Sequence, residues 1–260
     1  MQVTPDEVNL LLTEGAKLAP SLSSTRILRA YAGVRPLVSA DNDPTGRNIS
    51  RGIVCLDHET RDGLKGFISI TGGKLMTYRL MAEQATDLVC KKLNLDKRCE
   101  TATTPLPGSE GGDIEEVSKS IWAKPLTVHK AIVGRFGTRA ARISVQEKED
   151  QALVCECEEV SVGEVKAAVE RLDVHKLIDL RRRTRVGMGT CQGGLCALRA
   201  AGILGETQKC TARAKDDLRN FLSERWKGMY PIAWGDTLRE CEYMEWVYTQ
   251  VLGLQKEEAK

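Results

Sequence analysis

Apolar residues in the first ninety positions fall into two kinds of period. From Pro5 to Leu18 the apolar Val8, Leu11, Leu12 and Leu18 share one side of a helical repeat, which predicts a helix. Residues 27–34, 52–56 and 66–70 are short runs of strand-forming residues bounded by Gly, Pro, Asn and Asp, and they predict strands. After Gly72-Gly73 the spacing of Leu75, Tyr78, Ala82, Ala85 and Val89 returns to helical, ending near Asn94. Residues 99–113 have the Gly, Pro and Ser content of a linker, and short helical stretches fill about 114–147. Ser161-Val-Gly-Glu164 has the form of a capping box, in which each of the two side chains satisfies an orphan donor of the first turn. Two amphipathic helices are expected at the end. Residues 212–227 align Ala214, Leu218, Phe221, Leu222 and Trp226, and residues 236–252 align Leu238, Cys241, Tyr248 and Val251.

A chain of 260 residues has room for two or three modules with cores of their own. Its 42% hydrophobic and 28% charged content is ordinary for a globular protein. A formal net charge of +2 gives no global electrostatic case for nucleic acid. No apolar run approaches the length needed to cross a bilayer, so direct membrane insertion is not expected. The N-terminus has neither a basic region nor an apolar one, so no secretory signal is read there.

The nine cysteines change the picture. Cys55, Cys90, Cys99, Cys210 and Cys241 are scattered, a pattern suited to a reducing cytoplasm and not to a disulfide framework. The other four form two close pairs, Cys155-Glu-Cys157 and Cys191-Gln-Gly-Gly-Leu-Cys196, with 33 residues between the pairs. Thiolate tetrads select zinc or iron–sulfur clusters. Structural zinc sites usually space their cysteines two to four residues apart, whereas Cys-x-Cys among glycines suits a bulkier [2Fe–2S] cluster. Gly187, Gly189, Gly193 and Gly194 free backbone N–H groups to point at sulfur, and a helix is expected from Gln192 onward. Arg181, Arg182, Arg183 and Arg185 lie just upstream and would offset the negative charge of such a cluster. A zinc-stabilised interaction module remains the alternative, and Cys-x-x-Cys redox chemistry is excluded because the motif is absent.

Thr184-Arg-Val-Gly-Met-Gly-Thr-Cys-Gln-Gly with the two cysteine pairs resembles the bacterioferritin-associated-ferredoxin-type [2Fe–2S] domain, in the version fused behind flavin-dependent dehydrogenases. That resemblance implies Cys155, Cys157, Cys191 and Cys196 as ligands.

Gly66-Phe-Ile-Ser-Ile-Thr-Gly-Gly-Lys-Leu-Met-Thr-Tyr78 reads as strand, glycine turn and helix, and the N–H groups of such a helix start accept an anion or a carbonyl. It is not a P-loop, because Leu75 follows Lys74 where Ser or Thr is required. With Ala32-Gly-Val-Arg-Pro-Leu37 and Ser50-Arg51, this turn resembles the final part of FAD-dependent glycerol-3-phosphate dehydrogenases, and Met76 fits their anaerobic branch. The resemblance implies that Arg35, Arg51 and Lys74 hold the phosphate of glycerol 3-phosphate near the flavin. It also implies that Gly72, Gly73, Lys74, Leu75 and Met76 present backbone amides to the FAD pyrimidine. Hydride would pass to FAD, and single electrons to the cluster and on through other subunits of a dehydrogenase complex to a quinone. Attachment would be peripheral, on the cytoplasmic membrane through those subunits.

No Gly-x-Gly-x-x-Gly fingerprint for the FAD pyrophosphate is found, so the flavin-binding half is expected upstream of this sequence. The expected class is α+β. Residues 1–95 would be the C-terminal part of an FAD-dependent oxidoreductase domain, 96–150 a linker and helical segment, 151–205 an all-α [2Fe–2S] domain, and 206–260 a helical extension. The other functional class consistent with the chain is a free-standing [2Fe–2S] electron-transfer module. The aromatics of the extension, Trp226, Trp234 and Trp246 among them, would either form core or dock a partner.

Overall fold

The computed structural model describes residues 2–34, 52–120, 126–143 and 147–254. The chain divides into two compact units, residues 33–106 and the combination of 1–32 with 107–260. The N-terminal helix thus packs with the cysteine-bearing half of the chain. The α+β expectation holds at the level of class, with helices predominating over two small antiparallel ladders.

In the first unit, β1 (Ile53–Asp57) pairs antiparallel with β2 (Ile68–Gly72) in the register Cys55 opposite Ile70. The connection contains a short helix, α2 (His58–Asp62), which the sequence pattern does not anticipate. It is capped by the Asp57 side chain, which accepts from the Glu59 N–H, and it stops at Gly63 in the left-handed region. A 3₁₀ turn at Leu75–Thr77 leads into α3 (Tyr78–Lys92), close to the expected helix. No side chain of β1, β2 or α3 is fully buried.

The larger unit begins with α1 (Pro5–Ala16), opened by a complete capping box between Thr4 and Glu7. Its expected apolar face is not a core face. Val8 is buried, but Leu11 and Leu18 are 71% and 93% exposed. Residues 27–34 form no strand, because no neighbouring strand is there to pair with them. Their backbone is bound instead by a helix end, with the Ala30 N–H donating to the Gly228 carbonyl at 2.8 Å.

Helices α4 (Ile114–Ser120) and α5 (Leu126–Phe136) follow, then a 3₁₀ segment at Gly137–Ile143. Val128, Ile132, Ala140 and Ile143 bury a small core there, shared with Ala167. The cysteine module is not all-α. It opens with a ladder of β3 (Leu153–Cys155) on β4 (Val160–Ser161), whose tight connection carries Cys157. Then come α6 (Val162–Arg171), α7 (Leu177–Thr184) and α8 (Ala197–Thr207). The tail supplies α9 (Thr211–Met229) and α10 (Gly235–Trp246), which runs into a π-turn at Val247–Val251. Residues from all these elements, among them Val160, Leu180, Val186, Leu204, Leu218, Phe221 and Tyr248, share one core.

Asp217 ties two of these helices together. From α9, its buried carboxylate accepts from the Leu177 N–H at the start of α7. Burial raises its pKa, and that hydrogen bond pulls the other way. Asp217→Ala is expected to cost about 1–2 kcal/mol in chemical unfolding, since a buried helix-start donor loses its acceptor. Asp217→Asn, which retains an acceptor, should lose less.

Candidate metal centre

The four paired cysteines come together. Cys155 ends β3 and Cys157 sits two residues on in the turn, while Cys191 and Cys196 flank an irregular glycine loop between α7 and α8. Cys155 and Cys196 are each 1% exposed, Cys191 is half-buried and Cys157 is exposed. The Cys196 thiol donates to both Cys155 and Cys191, and Cys157 Sγ lies 3.8 Å from Cys191 Sγ. The sulfurs therefore form a run of contacts in the order 155, 196, 191, 157. Among the described residues no three His, Cys, Asp or Glu side chains are gathered as ligands of a single ion would be. A two-iron cluster asks instead for two thiolates per iron, which a run of four sulfurs can supply.

Their protonation follows from this geometry. Cys155 is lowered to about 6, chiefly by the Cys196 thiol and also by the amides of Gly187 and Glu158, against the cost of burial. Cys191 is lowered to about 5, again first by Cys196, with the amides of Leu195 and Gly193 and the Cys157 thiol assisting. Cys196 is pushed far up, because it donates to both neighbours and is buried between them. Loading a metal here has to displace the Cys196 proton, as thiolate coordination requires. The amides already aimed at Cys155 and Cys191 are the donors that a negative cluster needs.

Glycine permits this closeness. A Cβ at Gly189 would lie 2.2 Å from the Cβ of Cys157, so the two cysteine segments could not approach with any side chain there. Gly193 has φ +87, and a Cβ on it would lie 2.6 Å from the Phe221 ring beneath the loop. The helix expected from Gln192 starts later. Gln192 has φ +50, outside helical geometry, and α8 begins at Ala197 with Cys196 as its cap residue. Buried Gln192 braces the loop, donating to the carbonyls of Met188 (2.9 Å) and Gly189 (3.0 Å) and accepting from Arg181 (3.3 Å).

The other arginines of the upstream run are mostly engaged elsewhere. Arg182 pairs with Asp179 and Arg185 with Glu158, while Arg183 is exposed. The tail helices bear on the loop directly. Tyr248 Oη donates to the Gly194 carbonyl at 2.8 Å, and Arg225, buried in α9, reaches the Cys191 carbonyl at 3.5 Å. Of the tail aromatics, Trp226, Trp234 and Trp246 are exposed to between 37% and 55%, so they are not core.

The capping box expected at α6 is half formed. Ser161 Oγ accepts from the Glu164 N–H at 3.2 Å, but the Glu164 carboxylate is held by Arg135 of α5 at 2.6 Å through both oxygens. Burial pushes this carboxyl up to about 7, against the pull of Arg135. Nothing in the spacing of the sequence marked Arg135, Gln192, Arg225 or Tyr248 as neighbours of the cysteines.

In the other unit, Gly72 and Gly73 both adopt left-handed φ, and the Gly73 N–H donates to the Gly52 carbonyl at 3.1 Å. The Lys74 N–H donates to Thr77 Oγ1 at 2.9 Å. Leu75 and Met76 are 93% and 84% exposed. Arg35 and Arg51 lie outside the described residues.

Paired thiols on a Cys-x-Cys turn and a glycine loop define an iron–sulfur protein, and residues 153–206 match the family described as BFD-like [2Fe-2S] binding domain. The chain belongs to the anaerobic glycerol-3-phosphate dehydrogenase family, in which it corresponds to the C-terminal part of one subunit. It is 59% identical over 255 residues to that subunit from Haemophilus influenzae, covering 98% of this chain and 45% of the relative. The same subunit from Escherichia coli K12 is 57% identical over 258 residues, covering 99% of this chain and 47% of the relative. Its counterpart from Haloferax volcanii is 38% identical over 239 residues, covering 90% and 40% respectively. The chain thus spans a little under half the length of these relatives. No solved structure matches it.

Proposed function

We propose that Cys155, Cys157, Cys191 and Cys196 ligate a [2Fe–2S] cluster, and that this chain is the electron-relay part of a glycerol-3-phosphate dehydrogenase. The observation that carries this reading is the continuous run of sulfur contacts, with backbone amides already directed at two of the sulfurs. When bound, the cluster supplies one-electron transfer, which no amino-acid side chain of this site performs. The chain's own residues deprotonate, fix the sulfurs and donate hydrogen bonds to them. Cys157 and Leu195 are exposed at the rim, so electrons enter or leave on that side.

The unit of residues 33–106 is read as the end of an FAD-dependent oxidoreductase domain. Its hairpin and helix bury no side chain fully, as expected of an edge that a larger domain would cover. In this reading Arg35, Arg51 and Lys74 hold the substrate phosphate, for which an arginine fork is suited. The turn from Gly72 to Met76 faces the flavin, and glycerol 3-phosphate is oxidised to dihydroxyacetone phosphate. The relatives are each named as one subunit of their enzyme, and further subunits would carry the electrons onward and hold the protein at the cytoplasmic face of the membrane. Among the described residues no helix is long and apolar enough to cross a membrane.

The test is anaerobic reconstitution of the full chain with iron and sulfide, followed by mixing with the flavin-bearing half of a relative. About two irons and two sulfides per chain are expected, with visible absorbance that bleaches when glycerol 3-phosphate is added. A colourless protein holding zinc would sink the cluster assignment. A coloured protein that glycerol 3-phosphate never bleaches would sink the dehydrogenase assignment and leave the cluster standing.

A further inference from the structure

We propose that Arg135, in a helix outside the cysteine module, is the positioning residue of the Cys155–Cys157 turn. The proposal rests on the reading of these cysteines as cluster ligands. One guanidinium makes four contacts. Nε and Nη2 donate to the two oxygens of Glu164 at 2.6 Å, Nη1 to the Glu158 carbonyl at 2.9 Å, and Nη2 to the Glu159 carbonyl at 3.2 Å. The Arg135 side chain is 10% exposed and that of Glu164 is fully buried.

The geometry explains why an arginine is needed. Leaving Cys157, the chain must reverse within two residues to pair Val160 with Cys155, and Glu159 takes φ +52 to do so. That turn directs the carbonyls of Glu158 and Glu159 away from the sulfurs while the Glu158 N–H points at Cys155. Two adjacent carbonyls and a carboxylate, all drawn to one side, require several donors in one plane, and a guanidinium provides them. Glu164 anchors the far side of the fork to the first turn of α6, which the Ser161 cap holds in register. The turn is thereby held between α5 and α6. Arg135 lies outside residues 153–206, so the part of the chain that matches the cluster-binding family does not contain its own clamp.

The experiment compares the full unchanged chain with Arg135→Lys, Arg135→Met and the double variant Arg135→Met/Glu164→Met. The double variant removes both buried charges together, so no carboxylate is stranded. Thermal unfolding of the apo chain reports the fold. The rate of bleaching by an iron chelator and the electron paramagnetic resonance of the reduced cluster report the turn. The double variant is expected to melt near the parent temperature yet bleach about tenfold faster or more, the range found when residues orienting metal ligands are lost, with altered resonance positions. Arg135→Lys, which keeps the charge and loses the fork, should fall between the two. A folded double variant with the parent's bleaching rate and spectrum overturns the proposal. If the double variant does not fold, Arg135→Lys decides: parent behaviour overturns the proposal and faster bleaching supports it. If the unchanged chain takes up no cluster, the cysteine reading itself has failed and this proposal falls with it, an outcome already visible before any variant is made.

Discussion

Serine in place of Cys155 is expected to yield a folded chain that no longer holds a cluster. Cys155 is 1% exposed and takes part in the main core, so a change of one atom leaves the packing nearly intact. The chemistry changes far more. Iron–sulfur clusters depend on soft thiolates, and an alcohol of high pKa replaces a thiol that its neighbours hold down to about 6. Iron should fall from about two per chain toward zero, and visible absorbance with it, while far-ultraviolet circular dichroism stays unchanged. Cys241→Ser is the control. Cys241 is equally buried, its pKa is raised mainly by that burial, and it lies outside the sulfur run. A Cys155→Ser chain that retains the full spectrum would remove Cys155 from the ligand set.

The second large effect is expected at Phe221. Its ring lies under both glycine segments of the cysteine loop, close enough that a Cβ at Gly187 would sit 2.8 Å from it and one at Gly193 2.6 Å. Phe221 is 4% exposed and belongs to the main core. Truncation to alanine removes the ring and leaves a cavity that α8 and α9 cannot close without moving the loop. A cost of about 3–5 kcal/mol is expected for such a deletion, read by urea unfolding of the apo chain. Trp226, further along α9 and 37% exposed, serves as the comparison. Trp226→Ala should cost far less, so equal losses at the two positions would contradict this packing.

Some of this was legible in the sequence and some was not. The α9 face was readable because Ala214, Leu218 and Phe221 repeat at helical spacing, and all three are buried. The same reasoning failed for α1, where Leu11 meets solvent, because periodicity names a face without naming what packs on it. Residues 27–34 have strand-like composition, but β propensity is realised only beside another strand, and the end of α9 took that backbone instead. The capping box at Ser161 was half right for a related reason. Ser161 and Glu164 are local to one another, but Arg135 lies 29 residues away from Glu164 and competes for its carboxylate with two hydrogen bonds.

The cysteine tetrad shows where the division falls. The sequence by itself determined the chemistry, because thiolate identity, pair spacing and the glycines between them are local properties that restrict the metal and the backbone near it. Tertiary structure decided how the tetrad is held. The proton on Cys196 is shared because α8 begins where β3 ends, and the loop rests on Phe221, Arg225 and Tyr248 from the tail helices. The other turn is gripped from α5. These residues are distant along the chain and have no common period. Only the burial of one shared core brings them to the same four sulfurs.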